Sequence, residues 1–226
     1  MEMKKNNNIL VVTVLLMFAL SSMIIPFNLI DAYAEDIVGT DDEDRLPGTS
    51  DEDSIWGLDD DDKIWGRGDS DELYGGDGKD SIRGNSGSDS IFGEDGSDVI
   101  QGNRGDDYID GWKGDDLIQG NRGEDEILGW TGDDKLQGGR GDDTIYGEDD
   151  EDRIEGDSGD DWLNGGKNRD FIKGGPGDDV IWGKSGKDIL LGGSGEDEFH
   201  CGSGYDIILD YHRSEGDTKS RNCERF

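Results

Sequence analysis

An apolar residue recurs at every ninth position of this chain, and that period constrains its fold more than any other feature. The series runs from Ile37 to Ile208 without an insertion. Aspartate stands two residues before each apolar residue from Asp44 onward, and glycine stands two residues after it from Gly39 to Gly192. A period of nine matches neither a helix nor a single strand. Three positions held in phase for so long predict a repeat architecture.

One further position of each unit indicates that the backbone itself is specified. This turn slot lies five residues after the apolar residue and holds only glycine, aspartate or asparagine until Arg213 ends the pattern. The residues that replace glycine there are Asp42, Asp51, Asp60, Asp69, Asp150 and Asn168. Aspartate and asparagine are the residues besides glycine that best tolerate positive φ. The slot therefore predicts a left-handed turn in every unit.

The composition sets the electrostatic conditions for folding. The 226 residues include 57 Asp and Glu against 22 Lys and Arg, giving a net charge of −35, and only 30% are hydrophobic. Such a chain buries too little apolar surface to offset its conformational entropy. The charge would repel a phosphate backbone, which argues against nucleic acid as a partner. It suits divalent cations, so we expect a chain that folds when cations neutralise it.

The first 34 residues have the pattern of an export signal. Two lysines (Lys4 and Lys5) precede the apolar run Ile9–Ile25, and Ala32–Ala34 forms a small-x-small cleavage site. An uncleaved membrane anchor is the alternative, since the run is long, and only in that case would the membrane be a partner. In either case we expect a secreted or cell-surface chain. Its two cysteines then predict one disulfide between Cys201 and Cys223.

Individual units resemble a known repeat. The segments GGDGKDSIR (75–83), GGRGDDTIY (138–146) and GGPGDDVIW (174–182) resemble the GGxGxDxUx nonapeptide of the hemolysin-type (RTX) calcium-binding repeat. The resemblance covers residues 39–209. It implies an all-β fold, a right-handed parallel β-roll (a β-helix-like solenoid) with two units per coil, in which each hexapeptide makes a turn and each xUx a short strand.

The resemblance also implies where the metal binds. Multiple Ca²⁺ ions would lie between the turns of successive coils, held by aspartate carboxylates and backbone carbonyl oxygens. Calcium is a hard cation that accepts six to eight oxygen ligands, and it would supply the stability that one apolar residue per unit cannot. The aspartates predicted to bind it are Asp80, Asp89, Asp98, Asp107, Asp116, Asp125, Asp134, Asp143, Asp161, Asp179, Asp188, Asp197 and Asp206.

Turns 18 residues apart should stack, which produces two columns. One column, from the turn at Gly84 to the turn at Gly192, keeps glycine in every slot. The other contains two departures that stack on each other, GEDDED (147–152) and GGKNRD (165–170), and we expect calcium occupancy to be interrupted there. The four turns within residues 35–74 also lack the slot glycine, and we expect weaker sites or an N-terminal cap there. The calcium-binding roll then spans 75–209, and 210–226 form a C-terminal cap.

The outward side chains allow alternative interpretations. Asparagines at 85, 103 and 121 predict a ladder along stacked strands, and arginines at 104, 122 and 140 predict relief of acidic repulsion. Trp112 and Trp130 predict aromatic packing between coils, or a sugar-binding face together with Trp56, Trp65 and Trp182. The three Arg-Gly-Asp triplets follow from the turn itself and do not indicate a receptor motif.

No part of the sequence offers catalytic chemistry. The two histidines lie in no nucleophile–base pattern, and the carboxylates are repetitive rather than paired for acid–base work. We therefore expect a protein that is not an enzyme. The leading hypothesis is an extracellular calcium-binding protein with a structural or matrix role that folds on binding calcium. The alternative is a calcium-dependent adhesion or glycan-binding module, with cell-surface or matrix polysaccharide as its partner.

Overall fold

The nine-residue repeat folds into a solenoid of about ten coils in the computed structural model, which describes residues 10–11, 36–220 and 223–225. These residues form strands and turns and contain no helix. None of the described segments is therefore a helix that could cross a membrane. The all-β prediction is confirmed.

The strands are β1 Leu10–Val11, β2 Asp36–Val38, β3 Arg45–Pro47, β4 Ser54–Asp59, β5 Lys63–Trp65, β6 Glu72–Gly78, β7 Ser81–Ser86, β8 Ser90–Gly96, β9 Val99–Arg104, β10 Tyr108–Asp110, β11 Leu117–Arg122, β12 Glu126–Thr131, β13 Lys135–Arg140, β14 Thr144–Asp149, β15 Arg153–Ser158, β16 Trp162–Lys167, β17 Phe171–Pro176, β18 Val180–Gly186, β19 Ile189–Ser194, β20 Glu198–His200, β21 Ser203–Gly204, β22 Ile207–Ile208, β23 Thr218–Lys219 and β24 Glu224–Arg225.

Alternate strands belong to two different sheets. Sheet A contains β1 and the even-numbered strands from β2 to β20, then β23, with β21 paired to β18. Sheet B contains the odd-numbered strands from β3 to β19, then β22 and β24. Neighbouring repeat strands pair in parallel with a register of 18 residues, as in the pairing of Ile109 with Ile127 and of Ile118 with Leu136. Two units therefore make one coil, as predicted.

The predicted apolar series forms the core. Every member from Leu46 to Leu190 is essentially inaccessible to solvent, and Phe199 and Ile208 continue the series at the C-terminal end. Within a strand such as β11 the side chains alternate outward and inward, so Ile118 points into the solenoid while Leu117 and Gln119 lie outside. This alternation follows from the two-residue side-chain period of a strand.

The turn slot has positive φ in most units, as predicted. Glycines there have φ of 116° or more, as at Gly105 (116°) and Gly159 (143°), whereas Asp150 and Asn168 adopt 77° and 68°. The glycine values lie beyond the left-handed helical region and suit a residue without a side chain. A Cβ at Gly105 would lie 1.7 Å from the carbonyl oxygen of Gly87 in the preceding coil.

The slot prediction is wrong at Asp42 and Asp51, which do not have positive φ. In these two turns a threonine side chain takes part in closing the loop: the N–H of Asp42 donates to Thr40 Oγ1 (3.3 Å), and the N–H of Asp51 donates to Thr49 Oγ1 (3.2 Å). It is also wrong at two slot glycines, Gly96 and Gly186, whose φ lies outside the left-handed region.

A second position of the unit, three residues after the apolar residue, also has positive φ. It holds glycine in some units but also asparagine, tryptophan, glutamate, arginine and lysine, with φ of 81° at Asn103, 70° at Trp112 and 67° at Lys184. The sequence did not predict this position, because so many residue types occupy it.

The two ends of the solenoid are closed differently. At the N-terminal end, Leu10–Val11 pairs antiparallel with β2. The rest of the predicted export signal, and its cleavage site, lie outside the described residues. At the C-terminal end, β23 adds to β20 of sheet A and β24 adds to β22 of sheet B, both in parallel.

The predicted disulfide is present at the C-terminal end. Cys201 and Cys223 are bonded with their Cα atoms 5.2 Å apart, and both side chains are buried. The ring of Tyr211 packs against the end of the core with its centroid 6.3 Å from that of Phe199, and its hydroxyl donates to the carbonyl of Asp217 (3.0 Å). The disulfide therefore attaches the segment that follows the last repeat to the final turn.

Candidate metal sites: two columns of buried aspartates

The aspartate that precedes each strand lies at one of two edges of the solenoid. We call these residues the inner aspartates. At the first edge, where the chain passes from sheet A to sheet B, they are Asp44, Asp62, Asp80, Asp98, Asp116, Asp134, Asp152, Asp170, Asp188 and Asp206. At the second edge, where it returns to sheet A, they are Asp53, Asp71, Asp89, Asp107, Asp125, Asp143, Asp161, Asp179 and Asp197. All but Asp44 are buried.

Each inner aspartate is linked to the next coil by a hydrogen bond. The backbone N–H of Asp98, for example, donates to Oδ1 of Asp116 (2.8 Å), and the N–H of Asp125 donates to Oδ1 of Asp143 (2.9 Å). The same bond recurs at every 18-residue step from Asp44 to Asp206 and from Asp53 to Asp197. One oxygen of each carboxylate is thereby committed to holding the coils in register.

The second carboxylate oxygen has no hydrogen-bond partner at most of these positions. It is buried and lies against the glycine that begins the same turn, where a Cβ on Gly111 would be 2.5 Å from Oδ2 of Asp116. The inner aspartates with such an oxygen are Asp62, Asp71, Asp80, Asp89, Asp98, Asp107, Asp116, Asp125, Asp134, Asp143, Asp152, Asp161, Asp170, Asp179 and Asp188. Buried carboxylate oxygens without a partner are costly, and they call for a cation or a proton.

The pKa values of the inner aspartates also reflect the cost of burying their charge. Burial raises the pKa of Asp107, Asp116, Asp143 and Asp152 to about 8, with neighbouring carboxylates adding to the increase and the backbone hydrogen bond opposing it. At Asp98 and Asp179 burial raises the pKa to about 7, and at Asp89 and Asp125 to about 6. Without a cation, the folded chain therefore binds protons at these carboxyls more tightly than the unfolded chain does.

The ligands that these columns offer suit calcium, because side chains alone do not complete a site. Among the described residues no three His, Cys, Asp or Glu side chains converge as a metal-binding group. Backbone oxygens would therefore have to supply further ligands, and the carbonyls of the slot glycines face the next turn, as that of Gly87 faces Gly105. Calcium accepts mixed sets of carboxylate and carbonyl oxygens, whereas zinc prefers nitrogen and sulfur.

The first two turns differ from the rest of the columns. Oδ2 of Asp44 accepts the N–H of Thr40 (2.7 Å), and Oδ2 of Asp53 accepts the N–H of Thr49 (2.5 Å). Both carboxylates therefore have backbone partners within their own turns. Partnerless oxygens begin with Asp62 in the third turn.

The column of the second edge ends on a residue outside the repeat register. Asp217 accepts the N–H of Asp197 on Oδ1 (3.3 Å), although it lies 20 residues further along the chain instead of 18. Its Oδ2 accepts the N–H of His212, so both of its oxygens have partners. Asp210 acts similarly at the start of the same turn, accepting the N–H groups of Gly192 (2.9 Å) and Gly193 (3.0 Å). The segment after the last repeat thus continues the hydrogen bonds of the last turn with carboxylates of its own.

The structure brings all of the predicted calcium ligands into these columns, together with others that the sequence set aside. Asp152 and Asp170, in the two departures, keep the ladder hydrogen bond (3.0 Å each) and a partnerless oxygen. Asp62 and Asp71 lie within residues 35–74, where weaker sites or a cap were expected. They too have the ladder hydrogen bond and a partnerless oxygen. Their position two residues before the apolar residue was sufficient to place them in the columns.

The predicted asparagine ladder is wrong. The side chains of Asn85, Asn103 and Asn121 donate to the carbonyl two residues earlier in their own strands, at 3.1–3.2 Å, because positive φ directs them back along the chain. The amide ladder is formed instead by glutamines: Gln101 donates to Gln119 (2.9 Å), which donates to Gln137 (2.8 Å).

The five tryptophans considered for a sugar-binding face, out of six in the chain, do not share one face. Trp56 stacks on Tyr74 (5.8 Å between ring centroids) and Trp182 stacks on His200 (3.8 Å), both on sheet A, which confirms aromatic packing between coils there. Trp65 lies on sheet B. The prediction fails for Trp112 and Trp130, which are exposed at turn positions and do not contact each other's rings; Trp112 instead lies under the amine of Lys113.

Comparison with known proteins supports the repeat assignment. A family model for the RTX calcium-binding nonapeptide repeat, which spans four copies, matches residues 38–73, 65–100, 74–109, 92–127, 128–163, 155–190, 164–199 and 173–208. Together the matches cover the solenoid from Val38 to Ile208. No curated protein matches the chain.

Proposed function

The chain belongs to the RTX calcium-binding nonapeptide repeat family, whose repeats bind several calcium ions, and on that premise we propose an extracellular protein whose role is structural and whose fold depends on calcium. The observation that carries the proposal is the pair of aspartate columns with partnerless buried oxygens. The solenoid of stacked repeats makes up most of the described residues, and its carboxylates are repetitive rather than poised for catalysis. A structural role without enzymatic activity accounts for both features.

The predicted calcium ligands, extended by four residues, would hold the ions. We assign this role to the inner aspartates from Asp62 to Asp206 on the first edge and from Asp71 to Asp197 on the second, together with carbonyl oxygens of the adjacent turns. Bound calcium would neutralise the carboxylates, so the coils could stack without protonating them. The first two turns, whose carboxylates already have backbone partners, would act as the N-terminal cap.

An extracellular location is consistent with the disulfide and with the pattern of the first 34 residues. Structural disulfides persist in oxidising compartments. A chain that needs calcium to fold would remain unfolded where free calcium is scarce and fold where it is plentiful. Calcium would then act as a folding signal that follows export.

Equilibrium dialysis of the mature chain tests this function. We expect several calcium ions per chain at millimolar calcium, and little magnesium at the same concentration because magnesium demands a compact octahedral site and sheds its water reluctantly. Fractionation of the producing cells should place the chain outside the cytoplasm. One ion or none per chain, or a chain retained in the cytoplasm, would contradict the proposal.

A further inference from the structure

Three arginines form a row on the outside of the acidic solenoid. Arg104, Arg122 and Arg140 end β9, β11 and β13 and are direct register partners in sheet B. All three are exposed, and none forms an ion pair within the part of the chain that the structure describes. We call them the arginine row. In a chain with a net charge of −35, three unpaired cations side by side require an explanation.

The acidic residues next to the arginine row do not explain its presence. Asp106 and Asp142, which follow two of the arginines in the turns, accept backbone N–H groups from Glu124 (2.9 Å) and Asp160 (2.8 Å) of the next coil. Register pairing in a sheet places like charges about 4.8 Å apart, where they repel each other. The row therefore does not serve local charge neutralisation through ion pairs, and an anion from outside would relieve the repulsion.

A polar groove lies beside the row. Its cavity of about 390 Å³ is lined by Gln119, Asn121, Gln137, Arg140, Asp157 and Ser158 together with backbone of Gly138 and Gly139 and with Pro176. The glutamine ladder forms part of its wall: Gln101 and Gln119 each donate one N–H to the next glutamine, and Gln137 donates one to the carboxylate of Asp157. The second N–H and the remaining lone pair of each amide are then available to a ligand in a fixed orientation.

We propose that the arginine row and this groove bind a linear polysaccharide that carries carboxylates, such as a chain of uronic acids. Guanidinium groups bind carboxylates in a bidentate manner, and the ordered amides suit sugar hydroxyls. The proposal goes beyond the structural role proposed above, because it gives sheet B a ligand of its own.

The spacing favours a sugar chain over other polyanions. The arginines repeat at the coil spacing of about 4.8 Å, close to the length of one pyranose unit in an extended chain. An extended acidic peptide presents side chains on one face only every ~6.8 Å, at twice the rise of a strand. Duplex nucleic acid has one phosphate per ~3.4 Å of each strand, which is shorter than the spacing of the arginine row.

Binding of a hexagalacturonate to the calcium-loaded, disulfide-bonded chain tests the proposal. In isothermal titration calorimetry we expect measurable binding that weakens with added salt, since exposed charges are screened. Replacing the row by Arg104→Gln, Arg122→Gln and Arg140→Gln together should weaken it roughly ten- to a hundredfold, as expected from three exposed charge contacts. Unchanged β content in circular dichroism would show that the variant is folded.

A matched variant separates this site from general charge. The triple substitution Lys63→Gln, Lys113→Gln and Lys167→Gln removes the same charge from residues that are paired with Glu43, Asp95 and Asp149, and it should leave binding unchanged. The methyl ester of the same oligosaccharide should not bind, and neither should hexaglutamate. Equal binding by both triple variants would overturn the proposal, as would binding of the ester or of hexaglutamate, or no binding by the unmodified chain.

Discussion

At the scale of the residue, most inner aspartates have two tasks that use different oxygens. Oδ1 of Asp143 accepts the N–H of Asp125 and so holds two coils together, while Oδ2 has no partner and is buried. An asparagine could keep the first task, because its carbonyl oxygen is also an acceptor, but it would lose the charge. The two tasks can therefore be separated by a single substitution.

The first prediction compares two adjacent residues. Asp143→Asn should weaken calcium binding at its own turns by at least about tenfold, because a charged oxygen ligand is lost. The control is Asp142→Asn, an exposed neighbour whose Oδ1 accepts the N–H of Asp160 and which lies outside the column of inner aspartates. Calcium titrations followed by circular dichroism should show a higher midpoint for the first variant only. Equal midpoints would contradict the assignment.

The sequence predicted the inner aspartates well because their position relative to the apolar residue never varies. It failed where many residue types share one backbone conformation. Positive φ at Asn103 and Trp112 could not be predicted from composition, since neither is glycine, and it turned the expected asparagine ladder into local bonds. The glutamines at 101, 119 and 137 have the same 18-residue spacing, which is the sequence signal for the ladder that they form.

At the scale of the element, the coils differ at the two departures on the first edge. The hydrogen-bond ladder continues through Asp152 and Asp170, but the slot residues Asp150 and Asn168 have φ near 70–80°, whereas most slot glycines exceed 110°. The carbonyl direction of a turn follows its backbone angles. The two departures therefore keep the hydrogen-bond ladder of the other coils, and only the conformation of their turns differs.

The second prediction is that calcium occupancy is interrupted between these stacked turns. Anomalous scattering from crystals grown in calcium should show continuous ions along the second edge from the turn at Gly84 to the turn at Gly192, and a gap between residues 147–152 and 165–170. The paired substitution Asp150→Gly and Asn168→Gly should fill the gap. Full occupancy in the unmodified chain would refute the prediction.

The C-terminal cap is an element whose general position was predictable and whose details were not. The loss of register after Ile208 and the position of Cys201 indicated a cap, and the disulfide is present. The use of Asp217 at a separation of 20 residues, and of Asp210 on two backbone N–H groups, depends on how the irregular segment folds back. No periodic pattern contains that information.

The third prediction concerns this cap. Cys223→Ser removes a cross-link with a sequence separation of 22 and should cost about 3 kcal/mol in the chain-entropy model. The calcium needed for folding should rise, and sedimentation should reveal end-to-end association through the uncovered strand edges. Reduced wild-type chain is the control and should behave in the same way. A variant that folds at the original calcium concentration would show that the disulfide is not needed for the cap.

At the scale of the whole molecule, the apolar core stabilises the fold, and the two rows of buried carboxylates destabilise it while they are charged. The nine-residue period was sufficient to predict the strands, the core and the two edges, because a parallel solenoid repeats its sequence signal in every coil. The same regularity means that the carboxylate charge accumulates along the molecule. Its neutralisation, by protons or by calcium, should decide whether the chain folds.

The fourth prediction is a reversal of pH dependence by calcium. Burial raises the pKa of the inner aspartates from 3.8 to about 6–8, as at Asp125 and Asp116, so the folded state binds protons more tightly than the unfolded state. Stability of the metal-free fold is then fully present below about pH 4 and is lost as the pH rises through 6–8. With calcium, protons compete for the same oxygens, and affinity should fall as the pH drops through that range.

Circular dichroism at a series of pH values, in chelator and in calcium, measures the pH dependence of folding in the two states. In chelator the β signal should decrease from pH 4 to pH 8. In calcium it should be complete at pH 8, and the calcium midpoint should rise as the pH falls towards 6. A metal-free β signal that grows with pH would contradict the raised pKa values.

The fifth prediction is the central one: at neutral pH the mature, disulfide-bonded chain folds only when calcium is bound. Far-ultraviolet circular dichroism in chelator should show an unfolded chain, and addition of calcium in the range of about 10⁻⁴–10⁻³ M should produce the β signal, as expected for extracellular calcium modules. The same concentration of magnesium should not. A full β signal in chelator at neutral pH would contradict the account.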